Sequence, residues 1–284
     1  MRGGPWTFHL HVWAWLLIAS AGIGYVAVLR QLGPRHNPTG PSVAPRKIAS
    51  FCAGLVTLAI ALTWPTADLS LHWLLVARLF QNVLLFLVAP PLLLLGLPNR
   101  LVDMATRPRL VDATLTRITH PALATLIFNC VVIASLIPPV VHAESHWTVA
   151  YALAGAVMLG AGTIMWLPVL RLVPGARHMG VAARVGYLFV QSILPNFPAL
   201  ILIFAGHVMY TDFTSAPMAL GISARLDQQL AGVAAKVLGI TILWCTAGAI
   251  LMRAQSAEER GEDPDPLTWS DVERELERLD RHPI

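Results

Sequence analysis

Apolar residues along this chain gather into seven long runs, each near the ~20 residues that a helix needs to cross a bilayer. The runs are His9–Leu29, Lys47–Trp64, His72–Gly96, Pro121–Val141, Thr148–Leu170, Val185–Met209 and Asp227–Met252. Stretches rich in Pro, Gly and polar residues separate them, such as "QLGPRHNPTGPSVAPR", "WPTAD" and "LVPGARHMG". The pattern predicts an all-α polytopic membrane protein with seven transmembrane helices over residues 1–253 and a polar tail over 254–284. The first run is long enough to span and is read as a retained helix rather than a signal peptide. In the tail, Ser270 and Glu273 have capping-box spacing. Trp269, Val272, Leu276 and Leu279 then make a thin apolar stripe on a short helix. That helix is expected to lie on the membrane or the bundle; docking of a partner is the alternative.

The polar residues that interrupt the runs are few, and each needs a reason. Arg78 lies six residues past His72, about 9 Å along a helix, and Gln81 and Asn82 follow at i+3 and i+4 on the same face. An arginine in hydrocarbon costs at least ~2.5 kcal/mol, so this face is predicted to turn toward protein. Asp227 opens the seventh run in "RLDQQLAG" and is the expected partner for Arg78, with Glu144 and Asp212 as looser candidates; an N-cap role is the plainer reading of Asp227. Gln228 adjoins it. Lys236 falls nine residues further on, near the midplane, and must also face protein or water. Asn129, Gln191 and Asn196 are expected to hydrogen-bond between helices. Pro195 and Pro198 should kink the sixth run, and Pro90–Pro91 should distort the end of the third.

Composition sharpens the picture. The 284 residues are 56% hydrophobic and only 13% charged, with a mean hydropathy of +0.63. A soluble domain carries roughly 25% charged residues. Sixteen Arg and Lys residues fall in the loops after runs one, three and five and in the tail, against two (Arg2 and Arg225) at the opposite ends. The positive-inside rule then places the N-terminus outside and the C-terminus in the cytoplasm. Cys52, Cys130 and Cys245 stand singly in apolar runs and are expected as small buried side chains, with no disulfide framework. No basic face interleaved with aromatics suggests a nucleic-acid partner. No trusted catalytic constellation is present, so the chain is not read as an enzyme.

The histidines are unevenly placed. His9, His11, His72, His142, His146 and His207 fall at the expected outer face, and His36, His120, His178 and His282 at the inner one. His142 and His146 are four apart in "HAESH", and His207 and Met209 close the sixth run. Imidazole and thioether suit copper, and imidazole suits zinc. His142, His146, His207, Met209 and His72 are therefore the metal candidates, against the plainer reading that histidine is common at membrane interfaces.

The order of motifs resembles the CtaG-type cytochrome c oxidase assembly proteins, a bacterial seven-span membrane family. "PRKIASFCAGLVTLAIALTWP" is similar to its second span, "QNVLLFLVAPPLLLLGLP" to its Ala-Pro-Pro signature, "GTIMWLPVL" to its Trp-x-Pro segment and "LDQQLAG" to its Asp-Gln-Gln opening of the last span. "LTWSDVERELERLD" resembles tails of some members, so the likeness covers about Pro45 to Asp280. The resemblance implies the bacterial plasma membrane, oxidase subunits or other assembly factors as partners, and copper as the cofactor to test. The family's His-Met-x-Gln-His pattern, however, falls on Arg78, Leu79, Phe80, Gln81 and Asn82, and a histidine of the fourth span falls on Leu136. A further histidine of the fifth span falls in "AYALAGAV", which has none. A scaffold role with Arg78 as a fixed charge locking the bundle fits these replacements better than copper handling. The rival class is a transporter or channel for a small anion or metal ion, with Arg78 and Lys236 as its cue; a membrane enzyme using heme or quinone is a third.

Overall fold

A computed structural model describes residues 6–32, 43–172, 179–213 and 217–263, and among them every regular element is helical. In chain order these are α1 (Val12–Leu32), α2 (Pro45–Leu62), α3 (Thr66–His72), α4 (Leu75–Val83), a π turn (Leu84–Val88), α5 (Ala89–Gly96), α6 (Asn99–Thr106) and α7 (Arg109–Ile118). They continue with α8 (Pro121–Ala134), α9 (Pro138–His146), α10 (Thr148–Leu170), α11 (Val181–Ile193), α12 (Asn196–Phe204) and α13 (Ala224–Glu259), with two short 3-10 turns before the last.

Six of the helical segments are long and apolar enough to cross a membrane, or seven if the bent pair Leu110–Ile118 and Pro121–Ala134 counts as one crossing. That pair bends by 76°. The expected fourth span, Pro121–Val141, is not a single helix. Ile137 takes an extended ψ of 125° before Pro138, because a residue that precedes proline is pushed out of the helical region. The chain breaks there, and α9 sets off as a separate helix. The sixth run breaks between α11 and α12 at Pro195, as its prolines require. The last helix overruns its expected end: residues 254–259 of the supposed tail continue α13. The amphipathic helix expected around 270–279 lies outside the described residues, as do His36, His178 and His282.

The third run starts later than expected, because His72 closes α3, and it is then one continuous span from Leu75 to Gly96. Pro90 and Pro91 do not end it; they sit in the first turn of α5, where a missing N–H is tolerated. Their effect appears upstream, as the π turn over Leu84–Val88. Without the Pro90 N–H, the Phe86 carbonyl lacks its ordinary i+4 donor. Helix α10 lies against that carbonyl through Gly162, whose missing side chain leaves room for Phe86 and Pro90. Gly54 and Gly96 give α2 and α5 the same closeness: a Cβ on Gly96 would lie 2.6 Å from Phe51 N. Small residues at such crossings are how membrane helices gain packing without a hydrophobic drive between them.

The main core surrounds Trp166, Met165, Leu58, Leu85 and Phe86, between α2, the π turn, α5 and α10. A second cluster of Leu75, Leu79, Val141, Leu202, Tyr210 and Phe213 closes the end of the bundle where α4 begins. That end also carries His9, His11, His72, His142, His146 and His207 and is called the histidine-rich end below. At the other end, Lys47 Nζ donates to Leu97 O at 2.9 Å and to Asn99 Oδ1 at 2.6 Å. Tyr25 donates to Gly96 O at 2.8 Å and stacks on Phe51. The three cysteines are not buried as expected; all are exposed on the outside of the bundle. Lipid is as apolar as a helix interface, so an apolar run does not say which of its faces turns inward.

Candidate functional site

The polar face of α4 is wholly internal. Arg78 is 1% exposed, Gln81 2% and Asn82 8%. The Arg78 partner is not Asp227 but Glu144: Arg78 Nη2 donates to Glu144 Oε2 at 2.5 Å, with the Glu144 side chain 4% exposed. Helix α9 brings the carboxylate in, because Val141 and Glu144 share its buried face. Burial pushes the Glu144 carboxyl above the usual carboxylate range, and the Arg78 guanidinium beside it pulls the other way. One turn further on, Gln81 donates to Ala61 O at 2.8 Å and to the Tyr151 hydroxyl. Four helices, α2, α4, α9 and α10, are thereby tied by one polar seam.

Asp227 does something the sequence reading missed. Ser223 is the N-cap of α13 and accepts from Leu226 N. Asp227, 1% exposed, instead accepts from Leu75 N at 2.7 Å and Val76 N at 3.2 Å. It caps the start of α4, whose first N–H groups have no partner within their own helix. Gln228 and Gln229 serve the end of α12. Gln228 donates to Leu202 O and His207 O, both at 3.3 Å, and accepts from Met209 N at 2.8 Å. Gln229 donates to Ile203 O at 3.2 Å. The Asp-Gln-Gln triplet thus closes two helix ends in apolar surroundings, where each open backbone group costs several kcal/mol, roughly.

Nearer the middle of the bundle, Asn129 Nδ2 donates to Gln191 Oε1 at 3.0 Å. Gln191 donates to the Tyr187 hydroxyl at 2.9 Å, which donates to Met165 O at 3.0 Å. This chain links α8, α11 and α10. Asn196 bonds only its own preceding turn, to Ser192 O at 2.7 Å. Lys236 lines a cavity of about 90 Å³ with Asn82, Gln191 and Asn196 among its neighbours. Lys236 is only half-buried, and Arg78 is not part of that cavity's wall.

The histidine-rich end holds a larger cavity of about 420 Å³, lined by His9, His11, His72, His146, Asp68 and Glu144 with several aromatic residues. Asp68 is 5% exposed. Its Oδ1 lies 3.2 Å from His11 Nε2 and 3.3 Å from His9 Nδ1. The short α3 carries it in. At its rim, through His146, the group His142, His146 and Asp212 brings its ligand atoms within 4.8 Å of one another. His207 is exposed and Met209 half-buried, and neither belongs to that group. His72 is on the cavity wall instead.

Asp68 and Tyr151 went unread in the sequence, and Gln229 was read only as part of a helix start. The signal for Asp68 was an acid within "WPTADLSLH", directly between two apolar runs; for Tyr151 a lone hydroxyl opening an apolar run; for Gln229 the second amide of a triplet already noticed. The family model described as cytochrome c oxidase caa3 assembly factor (Caa3_CtaG) matches residues 23–256. No curated protein and no solved structure matches the chain.

Proposed function

The chain belongs to the cytochrome c oxidase caa3 assembly factor family, and from that premise we propose that it serves oxidase maturation as a membrane-embedded scaffold. One observation carries the choice of scaffold over intramembrane metal carrier: the buried Arg78–Glu144 ion pair. Its Arg78 stands on the helix face where the motif resemblance places the first of the family's histidines. The residues there do not fit a copper ion. A guanidinium offers donors and no lone pair, and Leu136 has no ligand atom. What they form is a rigid seam joining four helices, which holds the histidine-rich end in one shape for a partner subunit or another assembly factor.

In this reading the protein lies in a bacterial plasma membrane with its histidine-rich end outside. Deleting the gene and measuring assembled oxidase, with and without added copper, tests the proposal. Oxidase lost and not restored by copper is the expected result. Full rescue by copper would replace the scaffold with metal supply.

A further inference from the structure

We propose that His142, His146 and Asp212 form a surface site for one divalent ion of borderline softness, zinc or copper(II), held by two imidazole nitrogens and one carboxylate. The site is separate from the helix face of Arg78, and it does not rest on the scaffold reading.

The donor set is built on rigid supports. His142 and His146 are four apart on α9, so both project from one helical face. That helix is fixed from its other face by the Glu144 bond to Arg78 and by Val141, 1% exposed. Asp212 comes from a different segment, the 3-10 turn Thr211–Phe213. The flanking Tyr210 and Phe213 are each 2% exposed, and Tyr210 donates to Leu136 O at 2.8 Å. The carboxylate is therefore held in place before any ion arrives.

The geometry suits coordination. His142 Nδ1 lies 3.1 Å from Asp212 Oδ1 and 3.2 Å from Oδ2. Two donors at ~2.0–2.2 Å from one tetrahedral ion stand about that far apart. His146 Nδ1 lies 2.9 Å from the His142 carbonyl oxygen, which fixes Nδ1 as its N–H and leaves Nε2 as a lone pair. A backbone carbonyl on the second ring nitrogen is how metal-binding histidines are commonly oriented. The two rings lie 4.1 Å apart between centroids, tilted by 35°. Nitrogen and oxygen donors favour zinc and copper(II) over magnesium, which prefers oxygen alone. Three protein ligands leave a fourth position open to solvent, the pattern of an exchangeable ion rather than a structural one. His146 also lines the 420 Å³ cavity, so the open position adjoins a space with further imidazoles.

The test uses the full chain, purified in detergent without a polyhistidine tag, stripped with chelator and titrated separately with zinc, copper(II) and magnesium. One tight zinc or copper(II) per chain and no tight magnesium is expected. His142→Ala with His146→Ala should weaken that binding at least ~100-fold, above the ~10–100-fold lost when only a supporting partner of a ligand is removed. Asp212→Asn keeps the side-chain volume and should weaken it as well, while His207→Ala leaves it unchanged. The nitrogen hyperfine pattern of bound copper(II) should disappear in the double variant. Binding that survives the double variant, or that follows His9 and His11 instead, overturns the assignment. Metal is read on the isolated chain and oxidase assembly in cells, so either idea can fail alone.

Discussion

Arg78 on α4 and Glu144 on α9 make an ion pair of 2.5 Å in which neither side chain is more than 4% exposed. The bond joins the polar face of a membrane span to a helix of nine residues that does not span. Removing one partner leaves a buried charge uncompensated, which costs ~3–5 kcal/mol, whereas replacing both by apolar groups is often neutral. Arg78→Met and Glu144→Leu should each destabilise the protein strongly, and the double variant should regain most of the loss. Thermal unfolding in detergent measures this. A double variant no better than the worse single one would show that the pair is not the lock.

Asp227 makes a second, separable prediction. Asp227→Ala opens the Leu75 and Val76 N–H groups, and loss of a capping acceptor costs ~0.5–2 kcal/mol. Asp227→Asn keeps one acceptor oxygen and should lose less. Amide exchange at positions 75 and 76 should quicken in the alanine variant and much less in the asparagine one. Equal protection in both variants would remove the capping role.

How far these contacts could be read beforehand follows from their chemistry. The inward turn of Arg78, Gln81 and Asn82 was legible, because a charge in hydrocarbon is too costly for any other arrangement. The identity of the partner was not. Glu144 lies 66 positions away, in a segment whose "HAESH" reads as polar loop, and spacing along a chain says nothing of which loop acid folds inward. Asp227 was read as a cap and is one, but for α4 rather than for its own helix. A helix end in apolar surroundings accepts whichever acceptor the packing presents. The break at Ile137 was written in Pro138–Pro139, yet the apolar run continued through it and hid the start of the short α9. The cysteines show the same limit, since lipid and neighbouring helices select alike.

Close packing at Gly162 gives a third prediction with its own control. A Cβ there would press on the Phe86 carbonyl oxygen and lie 2.8 Å from Pro90 Cγ, whereas one at Gly160 would meet nothing within 4 Å. Overpacking typically costs ~1–3 kcal/mol, while Gly→Ala in an open helical position gains up to ~1 kcal/mol. Gly162→Ala should therefore lower the unfolding temperature and Gly160→Ala raise it slightly. The same shift for both would mean that α10 does not rest on the Phe86 carbonyl.

Orientation is the last prediction, and it governs which compartment the histidine-rich end meets. Sixteen cationic side chains cluster on one side of the apolar runs and two on the other, and short cationic loops stay in the cytoplasm. His207 and Arg107 are exposed at opposite ends of the chain's crossings. In a background where Cys52, Cys130 and Cys245 are replaced by alanine, which their exposure permits, His207→Cys should react with a membrane-impermeant maleimide on intact cells. Arg107→Cys should react only after lysis. Because α9, the start of α13 and the Asp68 cavity are bonded to the same end as His207, one label orients them all. The reverse labelling would turn the histidine-rich end toward the cytoplasm and overturn the charge-based orientation.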